Sequence, residues 1–406
     1  MKEAYIGLNS YEKAMYTILL IYAGAVNLSV AITGICYALG ILIMLVQYIR
    51  EKELPAVNKK LLYAVLAYNA IWLVVNAFSV DFDVSIRDWG SAAYRFMPLF
   101  FCAMYIRRLS QMKYIMLMFA VSVIGTNIIA FGQALHVLPS NCGERITGIT
   151  ENPNIFASQL LMFIPAMYFM AEQEWSSRWY NGLFAVGCLC SIGTLLLTLC
   201  RGSWCAFATM FIISIMLAKQ QQASLIKVGI VGLVGAMLLL MVSDSYSNRV
   251  ASIFDKKQSS NVERYMIYGS SINMAKEYPL TGVGQDNFYA VFNAEFVNPE
   301  SKLSPAKGGS TGHPHSNILL ALTEGGVIGL LACMMLYSAV LILLWRKYDT
   351  SGKTDNFALM GMFVCLGVLL EGLTETNMDL MFLMREMWFL IGLGFAKLDY
   401  MREDRI

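Results

Sequence analysis

Five residues carry most of the chemistry this sequence can offer: Arg145 in "ERITGITENPN", Arg201 in "CRGSW", Arg264 in "SSNVERYMIYG", and His313 and His315 in "GHPHSNILL". Planar guanidinium forks grip phosphate oxygens two at a time, and several that converge can meet developing negative charge in place of a metal ion. An imidazole, with an ordinary pKa of about 6.5, can take the proton of an attacking hydroxyl near neutral pH. Two of the chain's three histidines stand in one tripeptide, a concentrated use of a scarce residue.

Each of these residues also has a bland reading. A helix-end arginine commonly snorkels to lipid headgroups or is simply solvated, and that reading is preferred for Arg249, Lys256 and Lys302. Arg201 differs because it lies in a turn of about four residues between two apolar runs, and a cation pressed between helix ends needs an anion. Arg264 has a salt bridge to Glu263 or Asp255 as its structural alternative. His313 is a secondary partner or a rim residue, since Pro314 lets the two rings point apart. Glu324 in "LTEGG" is expected to pair with an arginine near a helix start, and Asn152 and Asn154 in "ENPN" to cap a helix.

Positioning these groups requires a membrane. Apolar residues make up 57% of the 406, charged residues 14%, and mean hydropathy is +0.55, a composition no soluble domain carries. A span needs roughly 20 residues of helix. Stretches of that kind lie near 14–29, 30–49, 61–79, 89–106, 112–133, 155–171, 179–199, 203–219, 224–243, 320–345, 356–375 and 380–398, so the expected fold is all-α and polytopic with about twelve transmembrane helices. The N-terminus shows no removable signal peptide.

Basic residues collect in alternate loops, as at Arg50, Lys59, Arg107, Arg178, Lys227 and Arg346, and at the ends with Lys2, Arg402 and Arg405. Positive charge stays inside, so both termini are expected in the cytoplasm. Asp81, Asp83, Glu371, Glu375 and Asp379 then fall in short outer loops.

The expected organisation is nine spans over 1–243, a large outer segment over 244–315, and three spans with a short cytoplasmic tail over 316–406. Within the outer segment, Ser260 and Glu263 read as a capping box. Val262, Tyr265, Met266, Gly269, Ile272 and Ala275 form the apolar stripe of an amphipathic helix, which ends by Pro279 and Gly282. Most of the nine cysteines lie inside apolar runs and show no metal-ligand spacing; only Cys142 and Cys200 share the outer side, and their pairing is left open.

"RITGITENPNIFASQ", "CRGSW", "ERYMIYGSSINMAKEYPLTGVGQDNF" and "HPHSNILLALTEGGVIGLL" occur in an order and spacing that resemble the O-antigen ligase and O-antigen polymerase family of bacterial membrane glycosyltransferases. The resemblance covers roughly residues 140 to 345. It implies metal-independent transfer of a glycan from an undecaprenyl diphosphate carrier at the periplasmic face of the inner membrane, with no cofactor. It also implies that Arg201 and Arg264, with Arg145 beside them, bind the diphosphate and that His315 is the base. Cys200 stands where the family commonly has serine, and Ser316 where it usually has asparagine.

One large outer segment rather than several leans toward a ligase acting on lipid A core, ahead of a polymerase or a protein-glycosylating relative. A transporter would show an internal repeat and binding residues at mid-membrane; no repeat is visible, and the unusual charges cluster at one face, with Arg385 and Glu386 in the last span as the exception. A scaffold gives no reason for arginines and histidine to gather on one side. The expected partners are the lipid-linked donor, a glycan acceptor and membrane lipids, and no nucleic acid.

Overall fold

The computed structural model describes residues 2–398 apart from Glu144, Glu151 and Lys256. Arg402, Arg405 and the expected solvation of Lys256 therefore lie outside the described residues. Among the described residues the regular structure is helical, with one isolated bridge at Cys142 and Arg145.

In chain order the helices are α1 (Lys2–Tyr5), α2 (Ser10–Ala25), α3 (Val30–Glu51), α4 (Lys59–Asn76), α5 (Phe82–Tyr94), α6 (Met97–Tyr105), α7 (Leu109–Ala134), α8 (Pro153–Ala171), α9 (Arg178–Leu197) and α10 (Arg201–Leu217). They continue as α11 (Gln222–Val242), α12 (Asp244–Phe254), α13 (Ser259–Glu277), α14 (Phe288–Val291), α15 (Asn317–Thr350), α16 (Asn356–Glu371) and α17 (Met381–Phe395). Six helical stretches are long and apolar enough to cross a membrane: Val30–Glu51, Leu109–Ala134, Pro153–Ala171, Arg178–Leu197, Lys219–Leu238 and Asn317–Thr350. Arg201–Leu217 and Asn356–Glu371 are shorter apolar helices. The other expected spans fall on α2, α4, α17 and the pair α5 and α6. The stretch 89–106 is thus not one helix; it breaks at Arg95 and Phe96, ahead of Pro98 in the first turn of α6.

A helix that is apolar on every side belongs at the centre of a bundle, and α8 is such a helix. Phe156, Leu160, Phe163 and Met167 are all fully buried. It packs against α9 and α16, and α16 packs against α17. Peripheral helices are apolar but exposed, as Ile35, Leu42 and Ile49 of α3 show, which suits a lipid surround. Arg385 and Glu386 are buried without an ion pair between them: Arg385 donates to the Tyr94 hydroxyl, and Glu386 accepts from Gln159.

The "LTEGG" and "PLTGVG" motifs interlock. At Gly326, with φ of +59°, α15 leaves helical geometry. The opened turn is closed from outside: Val283 and Gly284 donate their amides to the carbonyls of Thr323 and Glu324, at 2.9 and 2.8 Å, and Val327 and Ile328 donate to Pro279 and Leu280. A break in a helix is tolerated where other groups satisfy its freed polar atoms. A Cβ on Gly326 would come 2.3 Å from the Leu280 carbonyl carbon, so both the positive φ and the close approach require glycine.

Two local expectations in the outer segment are corrected. Helix α13 is capped at Gln258 with no side-chain bond, and Glu263 instead accepts from Ser301 Oγ and the Lys302 amide. The buried face is Ile267, Ser270, Ser271, Met274 and Ala275, while Tyr265 and Ile272 are exposed. Apolar spacing selected the wrong stripe because serines, small enough to pack closely, occupy part of the true one.

Candidate active site

The 316–317 stretch and the loop between α16 and α17 are clamped together. Asn317 donates its amide to the Gly372 carbonyl at 2.7 Å, and its side-chain oxygen accepts from the amides of Asn377 and Met378. Its Nδ2 donates to Asn377 Oδ1, and the Ser316 amide donates to Thr376 Oγ1. This clamp holds His315, whose own backbone is left-handed at φ +52°, against Glu375.

His315 Nδ1 lies 2.7 Å from Glu375 Oε1. The other carboxylate oxygen, Oε2, accepts from Arg264 at 3.0 Å and from Asn154 Nδ2 at 2.8 Å. Burial alone would raise the Glu375 carboxyl; its hydrogen bond to His315 and the charges of His315 and Arg264 outweigh that and hold it at about 2. Glu375 is therefore an anion, and it fixes the hydrogen-bonding role of His315 Nδ1, leaving Nε2 as the basic nitrogen. Arg264 pairs with Glu375 rather than with Glu263 or Asp255. Its other nitrogen donates to the Thr374 carbonyl at 2.6 Å.

Arg201 reaches out from the first turn of α10 to α12 and α13. It donates to the carbonyl and hydroxyl of Ser252, to Gln258, to Ser260 Oγ at 2.8 Å and to Asn261 Oδ1 at 2.9 Å. All of these acceptors are neutral, so the anion expected from the sequence is not among them. Arg145 likewise donates to neutral atoms: the Thr198 carbonyl, Asn154 Oδ1 and Cys200 Sγ. Gly202 lets α10 come close, since a Cβ there would lie 2.4 Å from Thr374 Oγ1.

A cavity of about 300 Å³ opens between these groups. Arg145, Arg201 and Arg264 line it, and so do Arg249, Glu371 and Glu375. Arg249 is thus not a solvated helix-end cation. It donates Nε to the Leu199 carbonyl, and its proton affinity is lowered by burial and then by the charges of Arg145 and Arg201. Even with both carboxylates ionised, four guanidiniums leave two positive charges in excess. The arrangement suits a doubly charged anion.

His313 sits beside His315, with ring centroids 4.4 Å apart, and its Nδ1 is 4.0 Å from Glu375 Oε1. Its pKa is lowered by burial and by its neighbour His315. His313, His315 and Glu375 offer ligand atoms within 4.8 Å of one another, a grouping able to hold a metal ion. Asp81 caps α5 by accepting from the Val84 amide.

Four residues at the site were given other roles from the sequence. Glu371, which ends α16, and Glu375 counted only as outer-loop acids, and Arg249 as a solvated cation. Asn152 does cap α8, but the Asn154 side chain links Arg145 to Glu375. Glu324 finds no arginine at the start of its helix; it faces a separate cavity with Asp88 and Asp379. Cys142 and Cys200 are not joined by a disulfide.

Residues 186–334 match the family model described as O-antigen ligase. The match bears out the resemblance drawn from the motifs, and it spans Arg201, Arg249, Arg264, His313 and His315. No curated protein matches the chain.

Proposed function

We propose that this chain, whose residues 186–334 carry the O-antigen ligase match, is a membrane glycosyltransferase. It moves a glycan from undecaprenyl diphosphate to an acceptor hydroxyl at the periplasmic face of the bacterial inner membrane, ligase-like and acting on lipid A core. One observation carries the reading. A single carboxylate, Glu375, joins His315 at 2.7 Å to Arg264 at 3.0 Å, and Arg264 lines the cation-rich cavity. A base and an anion site are thereby held side by side.

A diphosphate linked to a lipid at one end and a sugar at the other carries two negative charges, which the excess of guanidinium charge meets. Arg145, Arg201, Arg249 and Arg264 bind its oxygens. As the acceptor oxygen attacks the anomeric carbon, the bond from that carbon to the phosphate oxygen breaks, and the diphosphate leaves with the electron pair. The acceptor proton passes to Nε2 of His315. Glu375 orients the ring through Nδ1 and stabilises the imidazolium that forms, as a buried carboxylate does for other catalytic histidines. Charge stabilisation rests on guanidiniums already in place, so the step needs no metal.

The direct test supplies purified protein in nanodiscs with a lipid-diphosphate glycan and a lipid A core acceptor. Transfer of the glycan is expected. In a deletion strain, polymer stranded on its carrier supports the ligase reading. Accumulation of single repeats would make it a polymerase, an underglycosylated protein would make it a protein glycosyltransferase, and an unchanged glycan profile would overturn the reading.

A further inference from the structure

A second cavity lies across the clamp from the cationic one, between α4, α5, α15 and α17. Asn317, Met378 and Asp379 line it, two residues beyond His315 and three and four beyond Glu375. The 371–379 segment that carries Glu375 therefore has the cationic cavity at one end and this cavity at the other. Its lining is acidic rather than basic: Asp88, Glu324 and Asp379 stand with one cation, Arg95.

Arg95 is 8% exposed and poorly satisfied. Its two terminal nitrogens reach only the Met378 carbonyl at 3.3 Å and Asp88 at 3.4 Å, and Nε has no partner. A buried guanidinium with a free N–H is costly unless an oxygen completes it. Glu324 is presented here by the kink at Gly326, which turns the helix just after it. The wall opposite is aromatic, with Trp72 packed over Gly325.

We propose that this cavity is the acceptor site and takes an uncharged or amine-bearing sugar. Its hydroxyls donate to Asp88, Glu324 and Asp379, one sugar oxygen accepts from Arg95, and the apolar ring edge rests on Trp72. Asp88 and Asp379 outnumber Arg95, the one cation in the lining, so the cavity disfavours a phosphate. The two cavities sort the substrates by charge, the diphosphate to one side of His315 and the neutral sugar to the other. The proposal rests on the glycosyltransferase reading above.

The test uses purified full-length protein, the lipid-diphosphate donor, and two synthetic lipid-linked acceptors: one ending in a neutral hexose, the other in the same hexose phosphorylated. Wild type is expected to prefer the neutral acceptor by at least about tenfold, the size of one charged contact. Asp379→Asn and Arg95→Gln are expected to raise the KM for the neutral acceptor about tenfold, with donor affinity unchanged. Asp379→Asn should also narrow the preference against phosphate. Asp379 is exposed, so its variant decides the matter even if Arg95→Gln fails to fold. An unchanged acceptor KM in folded Asp379→Asn, or a raised donor KM, overturns the acceptor site while leaving the glycosyltransferase reading intact. A wild type that transfers to neither acceptor and none other tested would sink that reading instead.

Discussion

His315 and Glu375 stand 60 residues apart in the chain and 2.7 Å apart in space. Two independent backbone segments must be fixed to bring them together, and the Asn317 clamp fixes both. Through Glu375 the histidine is joined to Arg264, a cation that lines the cavity.

Removing the carboxylate should therefore harm turnover more than binding. Glu375→Gln is expected to lower transfer by roughly 10²-fold, and His315→Ala by roughly 10²–10⁴-fold, the range typical of a lost general base. His313→Ala should be much milder. On the reading that arginines hold the diphosphate, donor binding should change little in His315→Ala. Assays of donor binding and transfer on purified variants check this; a fully active His315→Ala, or a more damaged His313→Ala, would remove His315 from the base role.

Arg201→Lys should cost transfer on the order of 10²-fold with the protein still folded in detergent. An ammonium keeps the charge but cannot span the oxygens on α12 and α13 that hold the guanidinium plane. Near-normal transfer by this variant would take Arg201 out of the phosphate site.

Metal should not be needed but should be able to interfere. Transfer is expected to survive EDTA. Added zinc, which favours imidazole and carboxylate ligands, should inhibit through His313, His315 and Glu375, and EDTA should reverse the inhibition. Loss of activity in chelator, restored by magnesium or manganese, would contradict this and turn attention to Asp81 and Asp83.

The depressed carboxyl of Glu375 predicts a stability effect with a definite sign. Its folded pKa of about 2 lies below the ordinary 4.5. Its stabilisation is thus fully present above pH 4.5 and lost as pH falls toward 2. Melting of wild type and Glu375→Gln, followed from neutral pH to about pH 3, should show a gap that narrows on acidification. A gap independent of pH would mean that Glu375 is not an ionised partner.

Arg145, Arg201 and Arg264, which line one cavity, stood out in the sequence with His315 because basic residues in loops expected outside break the topological bias one by one. Glu375 does not break it: an acid in an outer loop is what the bias expects, and nothing local marks its link to a histidine 60 residues earlier. Arg249 was hidden in the same way, since a polar helix such as α12 looks solvated until its partners are placed. Most long apolar helices followed from hydropathy, whereas the break at Arg95 and Phe96 within 89–106 did not. The kink at Gly326 did not, because two adjacent glycines in an apolar run are compatible with a continuous helix until the 279–284 segment is seen to enter the turn.

That interlock has a consequence for dissecting the protein. The outer region between α11 and α15 is not a detachable head: its amides and carbonyls complete the backbone of a membrane helix, and that helix completes theirs. Cutting it away as a soluble fragment would leave raw edges on both pieces. Movement of this region would also be felt at Glu324, whose carbonyl accepts from Gly284, with no side chain needed to relay it.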